Sequence, residues 1–452
     1  MEERYKSHLA KVGTLYIGEG QKIITQTMTN TFTHDVEATL SQCLSISETD
    51  CDMVRITVPQ LKDLKALAEI KQRLHSEGVN MPLVADVHFY PEVAEGAARI
   101  VEKVRINPGN FTEKRDANKK EFSDNEFEES KEKMGKRAQK LIEICRNEGT
   151  CIRIGVNHGS LCDRIIDRYG NTAMALAASA MEWIDICEYY NFHNLVFSLK
   201  SSNVNTMIEA NLILAKMMET SGKRYPLHLG VTEAANGIEG RVKSAVGIGA
   251  LLYHGYGETL RVSLTESPEK EVIFANKLLK TINPNYLQTP ILQEETLTIS
   301  SEEKDLESWW AYTSALAGYY HKKQGFKNIV LRNPYFTQNE IDRLETQILQ
   351  ACRIKMSHTE IIACPSCGRT QYDIQSVLQQ VKSQFSHYPG LKIGVMGCVV
   401  NGPGEIADAD FGVIGNTNGR IAVFKGQKRV SEFLPINEAL QELEKQILNK
   451  DA

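Results

Sequence analysis

Two cysteine segments near the C-terminal end carry the strongest chemical signal of this 452-residue chain. Cys364 and Cys367 place two thiols at C-x-x-C spacing, and Cys398 follows in a glycine-rich loop. Thiolates grouped in this way bind soft metals or iron–sulfur clusters. Three thiolates on a four-iron cluster leave one iron for another ligand or for a substrate. The pattern therefore predicts a cluster that takes part in chemistry as well as carrying electrons.

The C-x-x-C spacing is also typical of structural zinc, which usually has four protein ligands. The sequence offers no second C-x-x-C and no histidine pair nearby to complete a zinc site. Cys352 remains the alternative further ligand. The other cysteines are interpreted as ordinary buried residues, namely Cys43, Cys51, Cys145, Cys151, Cys162 and Cys187.

A strand-and-helix pattern repeats over the first 265 residues. Eight β-branched runs alternate with stretches of helical periodicity, which predicts βα units and a parallel sheet. Eight such units have the size of a closed (β/α)8 TIM barrel, and a doubly wound open sheet is the alternative fold. The runs are Lys22–Met28, Asp52–Val58, Pro82–Val87, Glu102–Ile106, Cys151–Val156, Asn194–Leu199, Pro226–Val231 and Thr259–Leu264.

In a barrel of this kind the functional side chains lie at the C-terminal ends of the strands. Those ends carry an unusual set of charged and polar residues: Arg55, Asp86, His88, Arg105, Arg153, Asn157, Lys200, Glu233, Arg261 and Ser263. Salt bridges to Asp86 and Glu233 would explain any one arginine. Burying the whole cationic set without an anion is costly, and arginine forks suit phosphate oxygens. The ends therefore predict a phosphorylated or diphosphorylated small molecule as ligand.

The whole sequence divides into three regions. Residues 1–280 are assigned to the barrel, 281–354 to a shortened middle segment or linker, and 355–452 to a small α/β domain with the cysteines on its loops. No Walker loop or dinucleotide fingerprint is present. Gly247, Gly249, Gly255 and Gly257 are interpreted as positions of tight helix packing.

Composition excludes several classes of partner. The net charge of −5 does not favour nucleic acid, and no apolar run reaches the roughly 18 residues of a membrane span. The first residues lack the apolar stretch of a signal peptide. Ten scattered cysteines without an export signal are typical of a reducing cytoplasm.

Taken together, these residues resemble the family of iron–sulfur 4-hydroxy-3-methylbut-2-enyl diphosphate synthases of the non-mevalonate (MEP) isoprenoid pathway. The resemblance is closest to the plant and chlamydial branch, although that branch usually carries a large extra domain where this chain has only residues 267–354. The matching segments are Gln26–Asn30, Val54–Pro59, Leu83–Phe89, Arg105–Asn110, Ile152–Asn157, Pro226–Ala234, Thr259–Leu264 and both cysteine segments.

The resemblance implies an oxidoreductase that converts 2-C-methyl-D-erythritol 2,4-cyclodiphosphate into (E)-4-hydroxy-3-methylbut-2-enyl diphosphate. Electrons would come from ferredoxin or flavodoxin through a [4Fe–4S] cluster in a domain of the sulfite/nitrite-reductase-like type. The cluster ligands carry over to Cys364, Cys367, Cys398 and Glu405. Glu233 is the expected acid–base group, with His88 next and Asn401 contacting the substrate. The small domain must cap a barrel to bring the cluster to the mouth, and the sequence leaves open whether that barrel is its own or a partner's; the resemblance implies a homodimer in which the cap comes from the partner.

The sequence leaves one rival interpretation open. A non-redox TIM barrel that binds a phosphorylated or pterin-like ligand, with a structural metal in the small domain, would carry many of the same residues. Such a protein would be colourless and would contain zinc.

Overall fold

The computed structural model describes residues 2–111, 121–232, 235–282, 289–364, 370, 372–399, 402–416 and 419–449. Eight parallel strands form the central sheet, as the sequence pattern predicts. They are β3 (Ile24–Met28), β4 (Met53–Thr57), β5 (Leu83–Asp86), β6 (Lys103–Ile106), β7 (Cys151–Asn157), β8 (Leu195–Lys200), β9 (His228–Leu229) and β10 (Thr259–Leu260).

The sheet curls into a nearly closed barrel. Strands from β3 to β8 pair in chain order, and β10 lies between β9 and β3. The remaining seam between β8 and β9 is joined by a parallel bridge between Phe197 and Leu227. The predicted (β/α)8 barrel is therefore confirmed, and the open-sheet alternative is wrong.

Helices connect successive strands on the outside of the barrel. They are α1 (Val36–Ser47), α2 (Asp63–Ser76), α3 (Pro91–Ala97), α4 (Pro108–Phe111), α5 (Asp124–Glu148), α6 (Asp163–Tyr169), α7 (Ala173–Tyr189), α8 (Val204–Ser221), α9 (Gly237–Tyr253) and α10 (Pro268–Thr281). A short 3-10 turn, His158–Ser160, follows β7. No helix of the described residues is long and apolar enough to cross a membrane.

An N-terminal hairpin closes the bottom of the barrel. Strands β1 (Ala10–Val12) and β2 (Leu15–Ile17) pair antiparallel around a turn at Gly13, whose φ of 60° suits glycine. Its apolar side chains share a buried cluster with inward residues of five barrel strands: Ile24, Met53, Val84, Cys151 and Val196. The cluster seals the end of the barrel opposite the polar strand ends.

The stretch after the barrel folds as a second α/β layer. It contains β11 (Ile291–Gln293), β12 (Thr296–Ser300), α11 (Leu306–Lys323), β13 (Asn328–Arg332) and α12 (Gln338–Ala351). Its buried side chains belong to the same hydrophobic cluster as the barrel helices. The layer is attached by close contact of α11 with α9, since a Cβ on Gly249 would collide with Ala315 and one on Gly318 with the Val246 carbonyl. For Gly249 the predicted role in helix packing is confirmed.

The C-terminal part has a hydrophobic core of its own. Its sheet has the order β14–β15–β16–β17–β18, parallel over the first three strands and antiparallel after that. The elements are β14 (Glu360–Ala363), α13 (Ile374–Phe385), β15 (Lys392–Met396), α14 (Gly402–Glu405), β16 (Phe411–Gly415), β17 (Ile421–Lys425), β18 (Lys428–Arg429) and α15 (Ile436–Leu448). We call this part the cap, because it lies over the barrel mouth.

Candidate active site

The strand register brings the predicted cations together inside the barrel mouth. Residues paired across neighbouring strands include Thr57 with Asp86, Asp86 with Arg105, and Arg105 with Arg153. The five predicted cations line one cavity, together with Asp86, His88, Asn157 and Ser263: Arg55, Arg105, Arg153, Lys200 and Arg261. We call these five residues the cationic ring. All except Arg55 are buried.

Asp86 anchors one side of the ring. Nη1 of Arg105 donates to Asp86 Oδ1 at 3.2 Å and to His88 Nε2 at 2.6 Å, while Nη2 donates to the Gly155 carbonyl at 3.0 Å. Burial alone would raise the pKa of Asp86, but the guanidinium groups of Arg55 and Arg105 outweigh it and hold that pKa well below its ordinary value. Asp86 is therefore an anion that fixes Arg105 and His88 in place.

Arg261 has a partner that the sequence analysis missed. Its Nε and Nη2 donate to the two carboxylate oxygens of Glu271, each at 2.9 Å, and both side chains are buried. Glu271 also accepts from Thr27 Oγ1 at 2.6 Å and from the Leu264 amide at 3.0 Å. Glu271 lies on α10, beyond the last barrel strand, so no strand-end pattern points to it. The bidentate geometry makes this pair a structural support of the ring.

In the described part of the chain, Arg153 and Lys200 have no carboxylate partner of this kind. Within the described residues, Nε and Nη2 of Arg153 are buried without a hydrogen-bond partner. Burial and the neighbouring cations lower the pKa of Arg153 and of Lys200 well below their ordinary values. Gly230 keeps the space next to Lys200 open, because a Cβ there would lie 2.6 Å from Nζ. These groups present unsatisfied donors and positive charge to the cavity, which is the arrangement expected for an anion site.

The cap supplies the other wall of the same cavity. Cys364, Cys398 and Glu405 line it with Met396 and Gly402, opposite the cationic ring, and the space between them is about 840 Å³ including the solvent at its mouth. All three predicted ligands are partly exposed. The Gly397 amide donates to Cys364 Sγ at 3.1 Å. Amide donors to sulfur are a common support of iron–sulfur ligands, so the donor set suits a cluster at this wall.

Three predicted site residues lie outside the described residues: Glu233, Cys367 and Asn401. Among the described residues, no group of three or more His, Cys, Asp and Glu side chains is arranged to hold a metal ion. The roles of these three residues stay predictions.

Several contacts hold the cap on the barrel of its own chain. Asn157 Nδ2 donates to Glu405 Oε1 at 3.3 Å, which joins a barrel strand end directly to a predicted cluster ligand. Next to it the backbones touch at Gly159 and Gly404, where a Cβ on either residue would collide with the other. On the far side of the mouth, Lys382 of α13 donates to Asn236 Oδ1 at 2.8 Å and to Glu239 Oε2 at 2.5 Å.

Ion pairs of the buried Glu360 hold the start of the cap against the barrel. Glu360, at the start of β14, accepts from Lys243 of α9 at 3.1 Å and from Arg353 at 2.7 Å. Burial would raise the pKa of Glu360, but Lys243, Lys392 and Arg353 lower it to about 2. The barrel helix α9 thus holds both the middle layer and the base of the cap.

Other cavity residues were also missed by the sequence analysis. Met28, Ser198 and Thr232 line the cavity, and Arg55 donates to Met28 Sδ through Nε and Nη2 at 3.1 and 2.8 Å. Each lies at an inward position of a strand or at a strand end. Strand alternation would have identified Met28 and Ser198 as inward residues. The charged residues were selected for their chemistry alone.

The cavity joins a cationic barrel mouth to a cysteine-bearing cap, and family comparison bears on both parts. The model of the GcpE TIM-barrel domain matches residues 7–276, and the model of the GcpE protein C-terminal domain matches residues 360–449. The chain belongs to the GcpE family. The family predicted from the sequence is therefore confirmed.

Curated GcpE relatives cover nearly the whole chain. A protein of Chlamydia pneumoniae named 4-hydroxy-3-methylbut-2-en-1-yl diphosphate synthase (flavodoxin) is 33% identical, over 97% of this chain and 95% of its own length. One of Trichormus variabilis named 4-hydroxy-3-methylbut-2-en-1-yl diphosphate synthase (ferredoxin) is 38% identical, over 98% of this chain and 91% of its own length.

The two alignments differ in length. The chlamydial alignment runs over 582 positions, more than the 452 residues of this chain, so that relative contains sequence that this chain lacks. The cyanobacterial alignment runs over 443 positions. The GcpE family models leave residues 277–359 unmatched, which is the region of the middle layer.

Proposed function

We propose that this GcpE protein reduces 2-C-methyl-D-erythritol 2,4-cyclodiphosphate to (E)-4-hydroxy-3-methylbut-2-enyl diphosphate. Two electrons enter the substrate. One carbon–oxygen bond of the cyclic diphosphate breaks and the C3 hydroxyl leaves as water after taking a proton, while a carbon–carbon double bond forms. The family membership and the names of the relatives support this assignment.

The cationic ring binds the diphosphate in this proposal. Within the described residues Arg153 has buried nitrogens without a partner, Lys200 lines the same cavity, and Arg105 is oriented by Asp86. Charge-assisted hydrogen bonds to phosphate oxygens are the strong ones, and they place the carbon skeleton toward the cap. Ser263 and Asn157 supply further hydrogen bonds at the rim of the cavity.

Proton transfer to the leaving hydroxyl is assigned to Glu233, with His88 as the alternative. Glu233 follows Thr232, which lines the cavity at the end of the β9 region. His88 is a weaker candidate, since its Nε2 is already occupied by Arg105 Nη1 at 2.6 Å and Asp86 Oδ2 at 3.4 Å. Asn401 is assigned a substrate contact.

The cap holds a [4Fe–4S] cluster in this proposal, through Cys364, Cys367, Cys398 and Glu405, in a domain of the sulfite/nitrite-reductase-like type. When bound, the cluster supplies single electrons to the substrate. Glu405 is held by Asn157 at the meeting point of cap and barrel. Because a carboxylate binds soft iron less firmly than a thiolate does, Glu405 would be the ligand that is most easily displaced.

Ferredoxin or flavodoxin delivers the electrons, as the names of the relatives indicate for those proteins. A cytoplasmic location and a homodimer also belong to this proposal.

One observation carries the proposal: the cationic ring and the cysteine wall face a single cavity. The test is anaerobic purification followed by turnover with reduced flavodoxin or ferredoxin. We expect a brown protein with about four iron and four sulfide per chain, which converts the cyclodiphosphate into the linear diphosphate with release of water. Stoichiometric zinc without iron, or an iron-loaded protein that leaves the cyclodiphosphate intact, would overturn it.

The non-redox alternative predicts that zinc result. No observation of the site favours it, and the family membership speaks against it.

A further inference from the structure

A buried lysine lies directly beneath the cationic ring. Lys103 is fully buried in β6, and its register partners are Val84 on β5 and Cys151 on β7, both members of the apolar layer that seals the barrel. Its Nζ donates to Met53 Sδ at 2.9 Å. Within the described residues no carboxylate lies within ion-pair distance of Lys103. An ammonium group without an anion is strongly disfavoured in such a place.

The groups that face Lys103 come from several strands. Arg55 on β4 and Arg153 on β7 are cations, and the Cys151 thiol is next to it on β7. His228 on β9 is also within electrostatic range and is held neutral by burial and the surrounding cations. The nearest buried carboxylate of the mouth, Asp86, is engaged by Arg105 and His88. Burial first, then the two arginines, lower the pKa of Lys103 to about 7.

Several polar groups of the barrel interior lack hydrogen-bond partners among the described residues. Within the described residues, both amide atoms of Gln26, Oγ of Ser198 and Nε2 of His228 are buried without hydrogen-bond partners. Buried polar groups are normally satisfied, and where protein partners are missing an ordered water usually supplies them. Ser198 also lines the substrate cavity.

We propose that Lys103 compensates the charge of the bound substrate: above neutral pH its amine is predominantly neutral while the cationic ring is empty, and it takes up a proton from solvent when the diphosphate dianion binds. The dianion offsets the repulsion from Arg55 and Arg153, so that the protonated amine becomes the stable form. The protonated Lys103 amine is thereby absent from the empty barrel, where it would add to the buried positive charge, and present in the occupied barrel.

The inference rests on the proposed function for the identity of the ligand. The cyclodiphosphate itself does not titrate near neutral pH, because each of its phosphates keeps a single, strongly acidic oxygen. A proton taken up on binding near pH 7–8 therefore enters the protein. Affinity is highest below the pKa of free Lys103 and falls as the pH rises from about 7 toward the raised value of the complex, by at most about tenfold in Kd per pH unit for one proton.

The experiment is calorimetric titration of the cluster-loaded protein with the cyclodiphosphate at pH 7.0 to 8.5, in buffers of different ionisation enthalpy. We expect net proton uptake by the wild-type protein. Lys103→Met keeps the length of the side chain and removes the amine, so uptake should fall by the lysine's share and Kd should vary less with pH. Lys103→Gln is the second variant if the methionine variant does not fold.

A matched control alters the same layer without removing a group that titrates in this range. The thiol of Cys151 has its pKa raised to about 12 by burial, so Cys151→Ala should keep the wild-type uptake. Uptake that is unchanged in Lys103→Met and in Lys103→Gln would overturn the inference, and would assign the proton to another group such as Lys200. A folded, cluster-loaded wild type that does not bind the cyclodiphosphate would instead overturn the proposed function.

Discussion

Two buried arginines of the same ring differ in what supports them. Arg261 is held by the carboxylate of Glu271 through two hydrogen bonds, whereas Arg153 has buried nitrogens without partners in the described part of the chain. Sequence analysis treated them alike, because both stand inside strands among apolar residues. The difference depends on Glu271, a helix residue ten positions after Arg261. The first is therefore part of the framework, and the second is available to an anion.

This difference predicts opposite effects on stability when each arginine is replaced by methionine. Arg153→Met removes an uncompensated charge, so the free energy of unfolding should hold or rise. It also removes a charge-assisted hydrogen bond of about 1.5–3 kcal/mol, which weakens cyclodiphosphate binding by about tenfold or more. Arg261→Met strands the Glu271 carboxylate and should lower the free energy of unfolding by about 3–5 kcal/mol. Denaturant unfolding and ligand titration measure both, and equal stability losses would contradict the assignment.

Cys352 and Glu405 are the two candidates for the fourth cluster ligand. Cys352 is buried at the end of α12, in the hydrophobic cluster of the barrel, and burial raises its thiol pKa to about 12. Glu405 lines the cavity with Cys364 and Cys398. We expect Cys352→Ser to keep its iron and its activity, and Glu405→Ala to lose activity and release iron more easily under air. Iron analysis and turnover check this, and the reverse pattern would refute the assignment.

Glu233 lies outside the described residues, and its role stays a prediction. Glu233→Gln keeps the shape of the side chain and removes the titrating proton. We expect near-normal binding of the cyclodiphosphate and a loss of turnover of about 10²–10⁴-fold. Single-turnover measurement in the cluster-loaded variant is the check. Turnover close to the wild type would transfer the acid role to another group.

At the scale of elements, the sequence predicted the eight barrel strands well and the strands outside the barrel less well. All eight strands appear where β-branched runs end in polar clusters, because that pattern repeats with the period of a βα unit. The hairpin β1–β2 and strands β11, β12, β16 and β18 were not predicted. The hairpin strands are three residues long, and β16 contains two glycines in Phe411–Gly415, which weaken any strand pattern. Pairing with neighbours, which a local pattern does not contain, fixes these elements.

The contact between α9 and α11 gives a stability prediction. A Cβ on Gly318 would collide with the backbone oxygen of Val246, so Gly318→Ala forces the two helices apart and should cost about 1–3 kcal/mol. Gly135 in α5 is the matched control, since the nearest atom to its Cβ would be Ile186 Cγ1 at 3.9 Å. Gly135→Ala should stabilise by about 0.5–1 kcal/mol. Thermal unfolding of both variants checks the contrast, and a shift in the same direction would contradict it.

At the scale of the whole molecule, the family and the reaction could be predicted from strand-end residues and cysteine spacing. The position of the cap could not, since the sequence leaves open whether it covers its own barrel or a partner's, and the resemblance implies only that the family uses the partner's. Here Glu405 meets Asn157 and Lys382 meets Glu239 within one chain. These contacts join residues more than 140 positions apart. No local sequence pattern states whether such a contact is made within a chain or between chains.

A mixing experiment tests this arrangement. One variant carries Arg153→Met in the barrel, and the other carries Glu405→Ala in the cap. If each chain uses its own cap, a mixture unfolded and refolded together should be as inactive as either variant alone, because no chain holds both intact walls. Turnover approaching a quarter to a half of the wild type would show that caps are exchanged between chains. The two variants mixed without refolding provide the control.

The short connection between α12 and β14 favours binding of the cap to the barrel of its own chain. Eight residues separate Ala351 from Glu360, and both ends are fixed against α9. A tether this short keeps the cap at an effective concentration in the millimolar range at its own barrel. A competing cap from a second chain at micromolar concentration is outnumbered locally by about a thousand to one.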